Sequence, residues 1–258
     1  GIERLCQERS YIQAVHLIER ICGICSHVHT TTYCRGVEAL LDLDVPLRGA
    51  YIRALLCELE RIHSHLLWLG VLGKNIGLDT VFMYAWEIVL DIMEELSGGR
   101  VSHAVNVIGG VRIDLDAAHA ASIRERLDDL LPQIERALGL IENEPSVKSR
   151  TQDVGYLSPD DVRAYCVVGP VARASGVDVD LRRDSPWPPY DRLSFEVITH
   201  TAGDVWARTL VRVLEMLESL KLCHEILTTL PEGPTAARAR RRVPTGEAVS
   251  RSEAPRGE

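Results

Sequence analysis

The chain lacks a long apolar run. Its best stretch, residues 65–73, is bounded by Arg61 and Lys74 and is about half of the ~18 residues that a membrane-spanning helix requires, so no segment is read as crossing a bilayer. It also lacks positive charge: 29 Lys and Arg face 37 Asp and Glu, and the net charge of −8 excludes a general nucleic-acid binder, which needs a basic face. There is no disulfide framework, because the seven cysteines are odd in number and dispersed, and a reducing, cytoplasmic setting is expected. Neither a signal peptide nor an internal repeat is found. What is present is ordinary globular composition, 46% hydrophobic and 26% charged, over 258 residues, enough for one large domain or two small ones. Gly1 stands where a start methionine is usual and Glu258 follows no closing helix, so the chain reads as a piece of a longer protein.

Apolar residues recur at helical spacing through most of the sequence. Tyr51, Leu55, Leu59, Ile62, Leu66 and Leu69 mark one helix; Ile123, Leu127, Leu130, Ile134, Leu138 and Ile141 mark a second, with a bend expected at Pro132. Trp206, Leu210, Leu214, Leu217 and Leu220 mark a third, reaching back as far as Ser194. Residues 81–96 form a fourth, closed by Gly98, and 26–43 a fifth. The run 11–21 is helical in pattern too. Residues 105–113 predict a hairpin or tight loop, 167–179 an irregular stretch, and 182–190, which ends in Trp187-Pro188-Pro189-Tyr190, an extended one, since proline disfavours helix in its predecessor. Past Pro231 the periodicity stops. Residues 1–230 are therefore read as one domain and 231–258 as a mobile tail. The fold class is mainly α with a minor β or irregular portion.

Cys22-Gly23-Ile24-Cys25 is the one close cysteine pair; each of the other five is read as a small buried apolar residue. A thioredoxin-type pair needs a strand–helix unit, which the helical pattern before Cys22 does not offer. Covalent haem needs histidine directly after the second cysteine, and Ser26 stands there instead. Structural zinc prefers two close pairs, and there is no second. Taken alone, the pair leaves a metal site and a structural pair equally open.

The surrounding residues narrow this. Arg20-Ile21-Cys22-Gly23-Ile24-Cys25, with His29 four residues on, resembles the first metal-binding motif of nickel–iron hydrogenase large subunits. Gly1-Ile2-Glu3 is similar to that family's glycine-x-glutamate element, and Glu247-Ala248 with 252–258 to the run before its last catalytic segment. Residues 61–70, Gly109-Gly110-Val111-Arg112-Ile113-Asp114 and Gly169-Pro170-x-x-Arg173-Ala174-Ser175-Gly176 resemble the energy-converting, complex I-related branch. These three stretches are shared with the quinone-site subunit of NADH–quinone oxidoreductase. That subunit has lost the nickel cysteines, so retention of Cys22 and Cys25 favours hydrogenase, with the quinone-site subunit or a non-catalytic relative as alternatives.

The resemblance implies a hydrogenase large-subunit-like helical bundle and reversible oxidation of H2 to protons, in a catalytic-subunit fragment inactive by itself. It implies that Cys22 binds nickel, that Cys25 bridges nickel and an iron carrying CO and CN ligands, and that His29 hydrogen-bonds a ligating thiolate. Glu3 is implied as a magnesium ligand in a buried site. Two further nickel ligands are expected in a C-terminal segment outside this chain. Implied partners are an iron–sulfur small subunit like that of complex I and other soluble and membrane subunits, which would hold the chain on the cytoplasmic face of a membrane. Around this core, Arg20 is read as a buried residue positioning the loop, His27 as structural or exposed and Glu38 as part of a solvated face. At most one of His63 and His65 is expected to face the core. Arg112, Asp114, Arg173 and Asp180 are read either as an internal ion-pair set or as plain salt bridges.

Overall fold

A helix with apolar residues on every side belongs in the middle of a bundle. The helix α4 (Leu47–Ile76) is of that kind: every residue from 49 to 66 is buried. The computed structural model describes residues 1–240 and 242–258. Before α4 come α1 (Ile2–Gln7), α2 (Tyr11–Ile18), a 3-10 turn (Glu19–Ile21) and α3 (Ser26–Leu41); after it come α5 (Asp79–Ser97) and the antiparallel pair β1 (Asn106–Val107) and β2 (Gly110–Val111). Next are α6 (Ala117–Asn143), α7 (Pro145–Thr151), α8 (Pro159–Ala164), α9 (Gly169–Arg173), α10 (Leu181–Asp184) and α11 (Val205–Thr229). The mainly α class with a minor β portion is as expected.

The long helices α4, α5, α6 and α11 pack on one another around a single core. Ile52, Leu55, Leu59, Ile62 and Leu69 from α4 meet Val89, Ile92 and Met93 from α5, and all are fully buried. Ile123, Leu127, Leu130 and Ile134 from α6 and Val213, Met216 and Ile226 from α11 complete it. Burying each such side chain contributes about 1.5–3 kcal/mol. The helix α6 runs as one element across Pro132, and its buried face stays in register from Ile123 to Ile141. Glycine closes α4 and α5: Gly77 and Gly98 take the left-handed conformation at φ 83° and 84°.

Four expectations fail for identifiable reasons. The helix α11 starts at Val205, not near Ser194, because the Asp204 side chain accepts the Ala207 amide (2.7 Å) and caps it there. The amides of His200 and Gly203 instead bond the Arg173 and Ala174 carbonyls. The segment 182–190 is not extended: residues 182–184 lie in α10, capped by the Asp180 side chain, which accepts the Arg182 amide (2.9 Å), and 187–190 form a turn about the cis Pro188–Pro189 bond, with Tyr190 N–H donating to the Trp187 carbonyl at 2.8 Å. Proline excludes helix there without imposing extension, and the turn tucks Trp187 and Tyr190 into the core. His63 and His65 are both buried, because α4 has no outer face along that stretch.

The fourth concerns 231–258, expected as a mobile tail. It is laid against the helices: Ala237 N–H bonds Gly109 O, Val111 N–H bonds Thr235 O, and Ser252 and Glu253 are buried. The approach is close enough that a Cβ at Gly49 or Gly110 would overlap the Thr235 carbonyl. Periodicity is a signal of helices; a non-helical strap that packs through its backbone leaves no such trace.

Candidate metal centre

The 3-10 turn ends at Ile21, the chain extends through Cys22 (φ −141°, ψ 136°), and α3 begins after Cys25. This loop is pinned from behind. The buried Glu19 carboxylate accepts the Ala104 amide, Ser26 Oγ donates to the Val101 carbonyl (2.8 Å), and Gly23 faces the Val101 side chain. His63, stacked on Trp86 with ring centroids 5.5 Å apart, lies beneath the Ile24 backbone.

The result is one convergent donor group. Cys22 Sγ, Cys25 Sγ and an imidazole nitrogen of His29 all lie within 4.8 Å of one another, and among the described residues this is the only His/Cys/Asp/Glu group of three or more gathered so tightly. His29 joins because it sits one helical turn beyond Cys25, its amide bonded to the Cys25 carbonyl (3.2 Å). All three are half-buried, so the loop is partly open. A cleft of about 540 Å³, lined by Cys25, His29, Tyr33, Ala254 and Arg256, opens onto Cys25 and His29.

The two sulfurs are not equivalent. Burial raises the Cys22 thiol, but hydrogen bonds from Cys25 and from the Ile24 and Cys25 amides outweigh it and leave it below the ordinary thiol value. Burial pushes the Cys25 thiol far up, and its bond to Cys22 and the nearby Glu60 push the same way. Cys25 therefore holds its proton more strongly than Cys22 does. Burial lowers His29, which keeps its imidazole neutral and able to bind a metal or accept a hydrogen bond. Two soft sulfur donors with an imidazole suit a late transition metal better than calcium or magnesium.

The other predicted residues fall in varied places. Arg20 is exposed and bonds the His16 carbonyl and Glu19, so it does not lie buried against the thiols. Glu3 is exposed at the start of α1, 3.8 Å from the terminal amine, and belongs to no such donor group among the described residues. Glu38, expected on a solvated face, is buried in a two-pronged ion pair with Arg53 (3.0 and 2.9 Å). His27 is buried and bonds the Arg53 carbonyl. Of the lone cysteines, Cys34, Cys57 and Cys223 are buried as expected, Cys6 is half-buried, and Cys166 is exposed.

The expected ion-pair set divides. Asp114 pairs with Arg48 near the surface and Arg112 bonds backbone carbonyls, whereas Arg173 and Asp180 join a buried network. In it Glu58 accepts from Arg182, Tyr190 and Ser219, Arg182 also grips Asp180, and Arg173 grips Glu215 (2.8 Å) and Glu253 (2.9 Å). His65 closes the series on Glu215 at 2.8 Å.

Sequence reasoning missed two neighbours of the cysteines. Arg256 lines the cleft and its charge pulls the Cys25 thiol downward. Its position follows from the Gly169–Gly257 contact, where a Cβ on either would collide with the other strand of chain. Glu60, fully buried on α4, accepts the His27 amide (2.7 Å) and the Val28 amide (3.0 Å). Burial pushes its carboxyl up to about 8 against those two donors. The signal for Glu60 was a glutamate inside an apolar helix with no nearby cation at helical spacing on its face.

These buried groups fix the acid response of the fold. Burial pushes His27, His63 and His65 down to about 3, 4 and 4, against ~6.5 in an unfolded chain. A depressed folded value contributes stability that is present above the unfolded value and lost as pH falls. Glu60, raised to about 8, opposes this trend. Between pH ~6.5 and ~4.5, unfolding takes up protons on these three imidazoles, and on His29 and His103, which burial also lowers, against about one released from Glu60, so uptake wins and stability falls as pH falls. Urea unfolding at stepped pH is expected to show the midpoint dropping through this window; a flat or rising midpoint would contradict the buried, neutral histidines.

Comparison with known proteins gives two matching family models. Residues 1–81, which hold the cysteine pair, match the nickel-dependent hydrogenase model, and residues 75–254 match that of the respiratory-chain NADH dehydrogenase 49 Kd subunit. The carbon monoxide-induced hydrogenase of Rhodospirillum rubrum is 40% identical over 262 residues, covering 100% of this chain and 73% of that protein. The membrane-bound hydrogenase subunit alpha of Pyrococcus furiosus is 37% identical, with 100% and 65% covered. One of the NADH-quinone oxidoreductase subunits of Sinorhizobium medicae is 39% identical, with 91% and 59% covered. No described helix is long and apolar enough to cross a membrane.

Proposed function

Because the chain belongs to the oxidoreductase family that joins nickel-dependent hydrogenases to the 49 Kd subunit of respiratory NADH dehydrogenase, we propose that it is the catalytic part of a nickel–iron hydrogenase. The carrying observation is the convergence of Cys22, Cys25 and His29 within 4.8 Å beside an open cleft. The soft donor set fits nickel. Cys22 and Cys25 would hold it, and Cys25, the deeper of the two, would also reach the iron. When bound, the nickel–iron pair supplies the chemistry that splits H2 into protons and electrons.

This chain's own residues then have separable tasks. The loop 22–25 presents both sulfurs to one point, and the neutral His29 ring would hydrogen-bond a ligating sulfur and orient it. Arg256 places positive charge at the cleft, which favours the thiolate form of Cys25. Further nickel ligands and the iron's CO and CN would come from residues or maturation steps outside the described chain, and Glu3 would hold magnesium only together with such residues. Electrons would pass to an iron–sulfur partner subunit, and attachment to a membrane would come through such partners.

The second reading, a quinone-site subunit without nickel, is favoured by the 49 Kd match over residues 75–254. Conversion of His29 to alanine tests between them. In the full-length protein we expect hydrogen-dependent dye reduction to fall ~10- to 100-fold yet stay measurable, as when a ligand loses its hydrogen-bonding neighbour. An unchanged rate would remove His29 from the site.

A further inference from the structure

The first turn of a helix leaves backbone N–H groups without partners, and the residue just before the helix normally caps them with its side chain. At α3 that residue is Cys25, which makes no side-chain cap bond. Its sulfur points instead to Cys22 and His29. The capping is done from elsewhere: both carboxylate oxygens of Glu60, on α4, take the amides of His27 and Val28, and Ser26 Oγ stands at 3.5 Å.

Glu60 stands out among the buried acids. Glu38, Glu58, Asp180 and Glu215 each have an arginine in ion-pair contact, whereas among the described residues Glu60 and Asp204 form no ion pair, and of these two Asp204 caps its own helix α11 while Glu60 caps a different helix. A buried carboxylate without a cation is costly unless its hydrogen bonds need it. The bonds it makes go to the two residues that directly fix the orientation of the Cys25 peptide and of the turn carrying His29.

We infer that Glu60 is a positioning residue for the metal centre, a cap supplied by α4 that frees Cys25 to act as a ligand and holds the Cys25–His29 turn in register with Cys22. The inference rests on the metal reading above. Both oxygens of the acid carry lone pairs and can accept an amide whether or not the group holds its proton, whereas the NH2 of glutamine can only donate, so one of the two amides loses its partner while side-chain volume stays nearly the same.

The test is cadmium binding to the full-length apo-protein, measured by competition with a chelator, together with amide hydrogen exchange. Cd2+ is a soft thiolate-seeking probe that needs no maturation. Glu60→Gln is expected to weaken Cd2+ binding ~10- to 100-fold and to speed exchange at the amides of 27 and 28 while the amides of α11 keep their wild-type protection. If Glu60→Gln does not fold, Glu60→Asp makes the same comparison, since withdrawal by one methylene breaks at least one of the two bonds, and its affinity is expected to fall about tenfold. Cd2+ affinity within about twofold of wild type in a folded variant would overturn the positioning role. Failure of the wild type to bind Cd2+ at Cys22 and Cys25 would overturn the metal reading itself, and this role with it.

Discussion

Serine in place of Cys25 is expected to abolish hydrogen turnover by the full-length protein. Cys25 occupies the inner end of the donor group, its sulfur within 4.8 Å of both Cys22 Sγ and a His29 ring nitrogen. Serine is nearly isosteric, so packing around α3 changes little. What changes is the donor: a hydroxyl is harder and far more basic than a thiol and does not hold a soft metal as a thiolate does. If the cysteines served only as packing, the same change would cost a little stability and leave the rate near wild type. Hydrogen-dependent dye reduction by equally soluble preparations separates the two. Near-normal turnover in Cys25→Ser would remove the metal role.

The second large effect is on stability. Arg173 is fully buried and holds Glu215, Glu253 and Asp180 within 3.6 Å. Arg173→Met keeps much of the volume and strands those carboxylates away from their shared cation. Removing one partner of a buried ion pair costs ~3–5 kcal/mol, because the charge left behind has neither water nor counter-ion. Urea unfolding should show that loss, and adding Glu253→Gln should recover part of it, since one stranded charge disappears. Arg100 is a control: it bonds Glu87, Asp91 and Glu94 at the surface, where water screens the charges and ion pairs add little. A loss below about 1 kcal/mol for Arg173→Met would mean the network is as weakly coupled as that surface cluster.

The same contrast shows what could be seen before the structure. Apolar spacing located α4, α5, α6 and the body of α11, because the periodicity that marks a helix is the one that buries its face. Cys22, Cys25 and His29 were legible because the loop and one helical turn bring them together over eight residues of sequence. Arg173 and Asp180 were named as ion-pair residues, but Glu60, Arg256 and the partners Glu58, Glu215 and Glu253 were not. Each owes its role to a residue far along the chain: Arg182 reaches Glu58 across 124 positions, and Arg61 reaches the Glu253 carbonyl across 192. A charge on a helix is assigned to solvent unless its partner is known, which is why Glu38, and one of the pair His63 and His65, were placed on the wrong side. The strap 231–258 escaped for a related reason, since it docks through carbonyls and amides that any residue carries.

Nickel content of the intact, purified complex containing the full-length protein tests the central claim most directly. The account predicts about one nickel per copy of this chain, retained through chelator treatment, and its loss when Cys22 and Cys25 are both changed to serine in a complex that still assembles. A complex with wild-type cysteines that contains no nickel yet carries out its full oxidoreductase activity would contradict it and leave the quinone-site reading in its place.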